Sequence, residues 1–422
     1  MRALFHHPLT RVAAVLGVAL ALTACGGGPT GDGKPVKSSA DEIARGKYLA
    51  KAADCAACHT APGGAPFAGG AALESEFGAM YGSNITPDPQ HGIGKWSKDD
   101  FYKAVHDGTS PGGRHLYPAM PYASYRAMPR EDVDAIYAYL MQLPAVAQPS
   151  KPDELRFPYN IRFGMMFWKM LFLKDELPVA SQGQSPEWVR GRYVANVLGH
   201  CAECHTPRGA LGQLDLGLQW QGAQIGRWLA PDITPKGLAE RGWTEKDIGT
   251  FMKTGIAPQG SAWGEMHTVV ALSTQHLTEE DGKAMVRFMT GDKPMEAVPA
   301  KEDATADQKL GPGRQTYLNV CAGCHGVSGE GRSHVAVAMA GNSTLRIGDP
   351  RNLVVSVLDG IEAQQFTGYE RMQEMPGFAN DLSDQEIADL SNYLRVRFGG
   401  QPASVTADAV SKMRAKGPVA KH

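Results

Sequence analysis

The stretch Cys55-Ala56-Ala57-Cys58-His59 decides the fold, because its Cys-x-x-Cys-His pattern recurs at Cys201-Ala202-Glu203-Cys204-His205 and Cys321-Ala322-Gly323-Cys324-His325. This pattern is the attachment signature of c-type haem. Two cysteines three positions apart lie on one face of a helical turn and reach the two vinyl groups of one porphyrin. The adjacent histidine then binds the iron as the proximal ligand. The sequence therefore predicts three haem c groups, attached through Cys55, Cys58, Cys201, Cys204, Cys321 and Cys324 and ligated by His59, His205 and His325.

Two other kinds of site use paired cysteines. A zinc site needs four ligands that close around the metal, and a thiol-disulfide exchange motif needs no histidine directly after it. Three complete copies with the histidine favour haem over both alternatives.

An electron-transfer haem also needs a sixth iron ligand, and methionine is the usual choice at higher potential. Met120 and Met266 each follow their motif histidine by 61 positions, and Met375 follows His325 by 50. The equal spacing in the first two copies predicts Met120, Met266 and Met375 as the distal ligands.

Each predicted methionine has rivals, because a methionine most often packs in a core. The alternatives to Met120 and Met375 are Met80, Met128, Met339 and Met372. Met120 and Met375 are each followed by a proline that stiffens the loop, whereas Met266 is followed by His267, itself a competent iron ligand. His267 therefore remains the alternative at the second site.

The first two thirds of the chain is a duplication, because Cys201 lies 146 positions after Cys55 and Trp243 lies 147 after Trp96. The predicted fold is all-α, with three tandem cytochrome c domains. The predicted ranges are a signal peptide at 1–24, a tether at 25–38, domains at 39–147, 185–293 and 309–398, an apolar linker at 148–184, a second linker at 294–308, and a polar, mobile tail at 399–422.

Local signals predict where helices begin and how they cross. Ser97, Thr244 and Ser383 each stand at a helix start, and Ser383 opens a capping box with Glu386. Glycines in the opening helices, Gly46, Gly191 and Gly313, resemble those that let a closing helix cross closely in cytochrome c folds. Each proximal histidine is expected to donate its outer N–H to a carbonyl in the loop directly after the motif, such as 60–62 or 206–207.

The segment from Phe163 to Leu173 is intensely apolar. The favoured interpretation is burial between domains, and the alternative is a surface that faces a partner or a membrane. Arg208, Arg351 and Trp96 are candidates to contact haem propionates, although surface salt links explain both arginines more simply.

The seventh cysteine lies at the end of an N-terminal signal. Arg2 and Arg11 give this signal a positive start, and the apolar run from Val12 to Leu22 is too short to span a bilayer. The sequence Leu22-Thr23-Ala24-Cys25 that ends it resembles a bacterial lipobox. This predicts lipidation of Cys25 and a lipid anchor on the periplasmic side of a bacterial membrane. The alternative, an ordinary secretory signal, leaves a free thiol in an oxidising compartment.

Composition limits the remaining classes of function. The chain has 422 residues, 43% of them hydrophobic, and a formal charge of −2, so it is long enough for several packed domains and gives no sign of nucleic-acid binding.

The chain resembles the tri-haem cytochrome c subunits of bacterial membrane-bound dehydrogenases for alcohols and sugars, over roughly residues 40–398. The resemblance rests on Asn84-Ile85-Thr86-Pro87, on Leu116 to Tyr122, on Gly199 to Arg208, and on Met266 with Val269-Val270. It implies a separate catalytic subunit, a flavoprotein or a quinoprotein, that passes electrons to the cytochrome for delivery to membrane ubiquinone or another acceptor. Family members are often described as attached through a C-terminal amphipathic segment, whereas this C-terminus is short and polar.

The sequence therefore predicts an electron-transfer subunit with no catalysis of its own. The alternatives are a haem enzyme of the peroxidase or reductase type, which needs an open iron and an acid/base pair, and a haem sensor, which needs an output domain. Delivery of electrons to a soluble cytochrome or an oxidase is the alternative to quinone.

Overall fold

A computed structural model describes residues 38–174, 183–291 and 293–417. The predicted signal peptide, Cys25 and almost all of the tether lie outside the described residues. The described chain is mostly helical, and it is convenient to call residues 39–147 unit 1, 185–293 unit 2 and 309–398 unit 3.

Each Cys-x-x-Cys-His motif follows an opening helix that crosses a later closing helix at a glycine. A Cβ atom added at Gly46 would lie 1.8 Å from the backbone oxygen of Ala135, and one added at Gly191 would lie 1.8 Å from that of Ala284. A Cβ atom added at Gly313 would lie 2.1 Å from the backbone oxygen of Asp389. Any larger side chain would collide with the crossing backbone. The expected role of the three glycines is therefore confirmed.

The helices follow the same order in each unit. Unit 1 contains helices Ala40–Ala52, Cys55–His59, Lys98–Asp107, Tyr122–Tyr125 and Arg130–Leu140, and the linker after it contains Gly164–Phe172. Unit 2 contains Pro186–Tyr193, a π-helical turn Val194–Leu198, Ala202–His205, Pro235–Glu240, Glu245–Thr254, Glu265–Leu272 and Glu279–Thr290. Unit 3 and the segments around it contain Ala306–Lys309, Gly311–Thr316, a π-helical turn Tyr317–Cys321, Ala322–His325, Arg351–Asp359, Asp384–Gly399 and Ala407–Ala415.

The predicted helix starts are confirmed. The side chains of Ser97 and Thr244 accept hydrogen bonds from backbone N–H groups three residues later, and Ser383 forms a complete capping box with Glu386. Each cap satisfies backbone donors that the first turn of a helix leaves without partners.

The all-α prediction holds only in its coarser form, because short antiparallel strands accompany the helices. They pair as Ala72–Ser75 with Gly78–Tyr81, the latter also with Glu154–Leu155; Thr109–Ser110 with Arg114–His115; Ala223–Ile225 with Trp228–Ala230; Ile256–Ala257 with Gly260–Ser261; and Gln364–Gln365 with Arg371–Met372. These hairpins lie in the long loops between the opening and closing helices.

Within the described ranges, the buried apolar residues form two cores. One runs from Leu49 to Met289 and is common to units 1 and 2, and the other runs from Ala306 to Val410 around unit 3. The duplicated units therefore pack as a pair on a shared interior, and unit 3 has an interior of its own.

Two expectations about the connecting segments are wrong. In the helix Gly164–Phe172 only Trp168 is buried, and Phe167, Met170 and Leu171 are exposed, so this helix is not buried between domains. The tail is folded as far as Gly417, because the helix Ala407–Ala415 inserts Val410, fully buried, into the core of unit 3. Val405 also belongs to that core, and Met413 packs against it, but the polar composition of the tail concealed these contacts.

Among the described residues, no helix has both the length and the apolar character needed to cross a bilayer.

Candidate haem sites

The three motifs adopt the helical turn that haem attachment requires. Cys55–His59 is helical throughout, and Cys201 and Cys321 have right-handed helical dihedral angles at the residue before the helices Ala202–His205 and Ala322–His325. The two thiols of each motif therefore lie one turn apart, on the same side of the backbone.

Each motif histidine has one ring nitrogen held by a backbone carbonyl. Nδ1 of His59 lies 2.7 Å from the backbone oxygen of Ser83, and Nδ1 of His205 lies 2.7 Å from that of Pro231. Nδ1 of His325 lies 2.9 Å from the backbone oxygen of Val337. A carbonyl only accepts, so Nδ1 carries the proton and Nε2 keeps its lone pair. This is the tautomer that binds a metal through Nε2.

The expected class of acceptor is confirmed, but its expected position is wrong. The carbonyls lie 24, 26 and 12 residues after their histidines and not in the loop directly after the motif. The two larger separations belong to the duplicated units, in which a hairpin lies before or beside the acceptor. No local signal marks such a long-range partner.

Burial keeps the motif side chains in the protonation states that suit haem. It lowers the pKa of His205 to about 4, so the imidazole is neutral, and it lowers the pKa of His59 and His325 as well. It also raises the pKa of Cys55 to about 12 and that of Cys201 to about 11, so these thiols remain protonated without a cofactor.

Two observations disfavour the alternatives considered from the sequence. Thiol-disulfide exchange uses a thiolate that forms at a lowered pKa, whereas the pKa values of Cys55 and Cys201 are raised. In the described ranges, no group of three or more His, Cys, Asp or Glu side chains is arranged to hold a metal ion. Three closed zinc sites would each need such a group.

The second and third motifs open into one interior cavity of about 430 Å³. Cys204, His205 and Met266 line one part of it, and His325 and Met375 line another. The walls are otherwise mainly apolar side chains, as a porphyrin requires. Two thiols, an imidazole with a free Nε2 and a thioether at the wall of an apolar space form a donor set that fits haem c at both motifs.

The structure separates Met266 from its rival. Met266 lines the cavity from the first turn of the helix Glu265–Leu272, and not from a loop. Nε2 of His267 lies 3.0 Å from the backbone oxygen of Gln365, and its ring packs edge-on against Phe366. His267 thus has partners elsewhere, and the geometry favours Met266.

The other distal candidates differ in how firmly they are held. Met375 is fixed by a two-way backbone bridge with Ile361, with N···O distances of 2.8 and 2.9 Å. Its rivals Met339 and Met372 line the same cavity, so they remain alternatives. Met120 packs half-buried against the core of units 1 and 2. Its rivals Met128, which is in that core, and Met80, which is paired with Leu73 in a strand, have structural roles.

The arginines considered for propionates are engaged in salt links. Arg208 pairs with Glu203 at 2.6 Å, and Arg351 lies 3.5 Å from Asp349. Trp96 packs half-buried against the core of units 1 and 2.

In units 1 and 2, the haem motif of each unit contacts the segment of the other unit that carries its candidate distal methionine. The sequence did not predict these contacts. The Cys55–His59 helix packs against the helix Glu265–Leu272, which carries Met266. Reciprocally, Ser124, four residues after Met120, donates to Glu203 within the second motif at 3.0 Å. Burial, with the charge of Glu265, raises the pKa of Asp54 beside the first motif to about 8.

Hydrogen bonds between tyrosines of one unit and aspartates of the other also join units 1 and 2. The hydroxyl of Tyr48 donates to Asp281, and that of Tyr193 donates to Asp132. Arg190 forms an ion pair with Asp281, and Arg45 forms one with Asp132. The near-equal spacing between the tyrosines and between the aspartates, 145 and 149 positions, is the sequence signal that could have revealed this pairing.

The family model for cytochrome c matches residues 43–144 and 311–396, which include the first and third motifs. With three motifs on helical turns and three imidazoles poised for a metal, the chain is a c-type cytochrome.

Its relatives define the family more narrowly. The chain is 36% identical over 408 residues to the cytochrome c subunit of alcohol dehydrogenase (quinone) from Gluconobacter oxydans (strain 621H), covering 90% of this chain and 84% of the relative. It is 35% identical over 457 residues to the fructose dehydrogenase cytochrome subunit from Gluconobacter japonicus, covering 99% and 92%. It is 36% identical over 408 residues to the gluconate 2-dehydrogenase cytochrome c subunit from Pantoea cypripedii, covering 90% and 91%. The chain belongs to this family of dehydrogenase cytochrome c subunits, which are electron-transfer components and not catalytic subunits.

Proposed function

We propose that the chain carries three haem c groups and relays electrons from a partner dehydrogenase to ubiquinone. In this proposal the haems are attached at Cys55 and Cys58, Cys201 and Cys204, and Cys321 and Cys324. The axial pairs are His59 with Met120, His205 with Met266, and His325 with Met375. The three units then correspond to three cytochrome c domains.

The observation that carries the proposal is the histidine geometry common to all three motifs. In each, Nδ1 is bonded to a backbone carbonyl, so Nε2 keeps its lone pair for a metal. Such an outer hydrogen bond orients a ligating imidazole and raises its basicity. The second motif has this feature in full, although the family model does not match it.

The arrangement of the motifs supports a relay with the second haem in the middle. The first and second motifs pack against each other's distal-ligand segments, and the second and third line one cavity. Electron transfer between haems requires neighbouring rings to lie close together, and these contacts bring the second site near both others.

The donor in this proposal is a catalytic subunit that oxidises a CH–OH group, because the relatives are subunits of dehydrogenases named for alcohol, fructose and gluconate. Haem c has no means to accept a hydride from carbon, so the partner must supply a flavin or quinone cofactor. We place the protein on the periplasmic side of a bacterial membrane, held by lipidated Cys25, with ubiquinone as the acceptor.

Haem stoichiometry and partner dependence test this proposal. Denatured protein should retain three haems per chain through extraction with acid-acetone. Purified cytochrome mixed with substrate alone should stay oxidised, and addition of the catalytic subunit should reduce all three haems. Two haems in fully matured protein, or turnover by the cytochrome alone, would refute it.

A further inference from the structure

The segment after unit 1 exposes an unusual number of large apolar side chains. Between positions 157 and 171, seven such side chains are exposed: Phe157, Tyr159, Ile161, Phe163, Phe167, Met170 and Leu171. Met170 is 75% exposed and Phe157 is 78% exposed, close to the values of a free side chain. A soluble surface rarely concentrates apolar groups in this way unless they contact something else.

The exposure is not a sign of a loosely attached segment, because the backbone and the inward face are firmly held. Trp168 is buried, its indole N–H donates to the carbonyl of Leu211 at 2.9 Å, and its ring contacts Tyr122. The ammonium group of Lys169 donates to the backbone oxygens of Asp107 and Gly108. The helix Gly164–Phe172 therefore presents its outer apolar face in a fixed orientation.

The charges of the segment have one sign. From Arg156 to Lys174 the sequence contains four basic residues and no acidic residue, although the whole chain has a charge of −2. Arg162 is paired with Asp153, and Lys169 is bonded inward. Arg156 and Lys174 at the two ends are exposed. Basic residues flanking an aromatic and aliphatic face are typical of segments that lie in the interface of an anionic bilayer.

The segment covers the loop that carries the proposed distal ligand of the first haem. Tyr117, three residues before Met120, donates to the backbone oxygen of Tyr159 at 2.8 Å. The guanidinium group of Arg162 lies over the ring of Tyr117 and donates to the carbonyl of His115. The exposed face is thus continuous with the part of unit 1 that lies nearest the first haem site.

We infer that residues 157–171 form a membrane-contacting surface that lies in the headgroup region of an anionic bilayer. The surface holds the distal side of the first haem site toward the lipid.

Binding to vesicles tests the inference without any dehydrogenase or quinone, so the result is independent of the proposed relay. The protein is the full chain with Cys25→Ser, exported with a different signal and loaded with haem. It should float with phosphatidylglycerol-containing vesicles, and weakly or not at all with pure phosphatidylcholine. Added salt should reduce binding, since it screens the basic ends.

A matched pair of variants locates the contact. Met170→Ser with Leu171→Ser should weaken binding by about tenfold or more, because two exposed apolar side chains no longer enter the lipid. The control, Val298→Ser with Val327→Ser, also removes two exposed apolar side chains but lies outside the segment, so its binding should equal that of the parent. Haem content and thermal midpoint, measured on each preparation, verify that both variants are folded.

Two outcomes would overturn the inference. The first is that the non-acylated parent is not retained on anionic vesicles, which removes the membrane contact outright. The second is that the Met170/Leu171 variant binds vesicles as well as the control does. If that variant then fails to assemble with the catalytic subunit or with a second copy of the chain, the surface is a protein interface.

Discussion

At the scale of single residues, the outer hydrogen bond of each motif histidine decides which nitrogen can bind iron. In His205 the carbonyl of Pro231 holds the proton on Nδ1, and burial lowers the pKa to about 4. The imidazole is therefore neutral and correctly oriented before the metal is present. The same arrangement at His59 and His325 makes the three motifs chemically equivalent on the proximal side.

The distal side of the second site gives the sharpest prediction about a single residue. Met266→Ala should weaken the near-infrared band of the oxidised protein that arises from methionine ligation, and should open one iron to carbon monoxide. The neighbouring variant His267→Ala is the control and should change neither property, because His267 is bonded to Gln365. If His267→Ala opens the iron and Met266→Ala does not, the assignment at this site is reversed.

The proposed haem-binding residues were located from spacing, since each motif is contiguous and Met120 and Met266 follow their histidines at equal distances. The carbonyls that orient the histidines could not be located in this way. Ser83, Pro231 and Val337 contribute only backbone oxygen, so their side chains carry no signal, and their positions depend on how the intervening loops fold.

At the scale of elements, the crossing of opening and closing helices places each motif. Gly46→Ala should destabilise unit 1 by about 1–3 kcal/mol or more, because the new methyl group would meet the backbone oxygen of Ala135 and the helices would have to separate. Gly282→Ala is the matched control, since a Cβ there meets nothing within 4 Å, and it should be neutral or stabilising by up to about 1 kcal/mol. Urea unfolding followed by circular dichroism measures both.

An equal loss of stability in the two glycine variants would contradict this prediction, because it would trace the effect to the helix and not to the crossing. The crossings were expected because Gly46, Gly191 and Gly313 resemble the glycines at the helix crossing of cytochrome c folds. The hairpins in the loops were not, since two- and three-residue strands have too little sequence to show a period.

The hydrogen bonds from tyrosines to aspartates between units 1 and 2 predict that the free energy of unfolding depends on pH. Burial opposes ionisation of Asp281, but hydrogen bonds from Arg190 and Tyr48 outweigh it and hold the pKa of this carboxyl below its usual range. A lowered pKa stabilises the fold above the unfolded value of about 3.9, and this contribution is lost as the pH falls through the folded value. Tyr48 stays protonated throughout, since burial raises its pKa to about 12.

Asp281→Asn should therefore destabilise the protein at pH 7 by about 1–3 kcal/mol, and the deficit should shrink below about pH 4 as the parent loses the same contribution. Glu279→Gln is the control, because this exposed residue pairs only with Lys283 one turn later on the surface. Unfolding midpoints across the acid range measure the difference. A deficit for Asp281→Asn that stays constant down to pH 3 would exclude the ionised carboxylate as its source.

At the scale of the whole molecule, the first two units pack around one core and the third keeps its own. The duplication was visible in the sequence, but the shared core was not, because apolar periodicity shows which face of a helix is buried and not which helix covers it. The same limit explains the apolar linker, whose exposed face looked like an interior segment, and the tail, where Val405 and Val410 insert into the core of unit 3.

The second motif lies between the other two, since it exchanges contacts with unit 1 and lines one cavity with the third motif. Polar contacts join units 2 and 3 beside their common cavity, since Asn352 exchanges two 2.8 Å hydrogen bonds with the backbone of Leu229 and Arg227 pairs with Asp359. In the proposed relay, an electron that enters at one end passes the second haem before it leaves at the other.

Electron flux through a variant of the middle site tests this central claim most directly. Met266→His keeps the iron six-coordinate and lowers its potential, since a methionine ligand raises the potential of a haem; each 59 mV of lowering reduces electron occupancy tenfold. With the catalytic subunit, substrate and a ubiquinone analogue present, the variant should retain three haems and carry flux reduced by at least about tenfold. The control His267→Ala should match the parent. Unchanged flux through Met266→His, with its lowered middle potential verified by redox titration, would contradict a relay through the second haem.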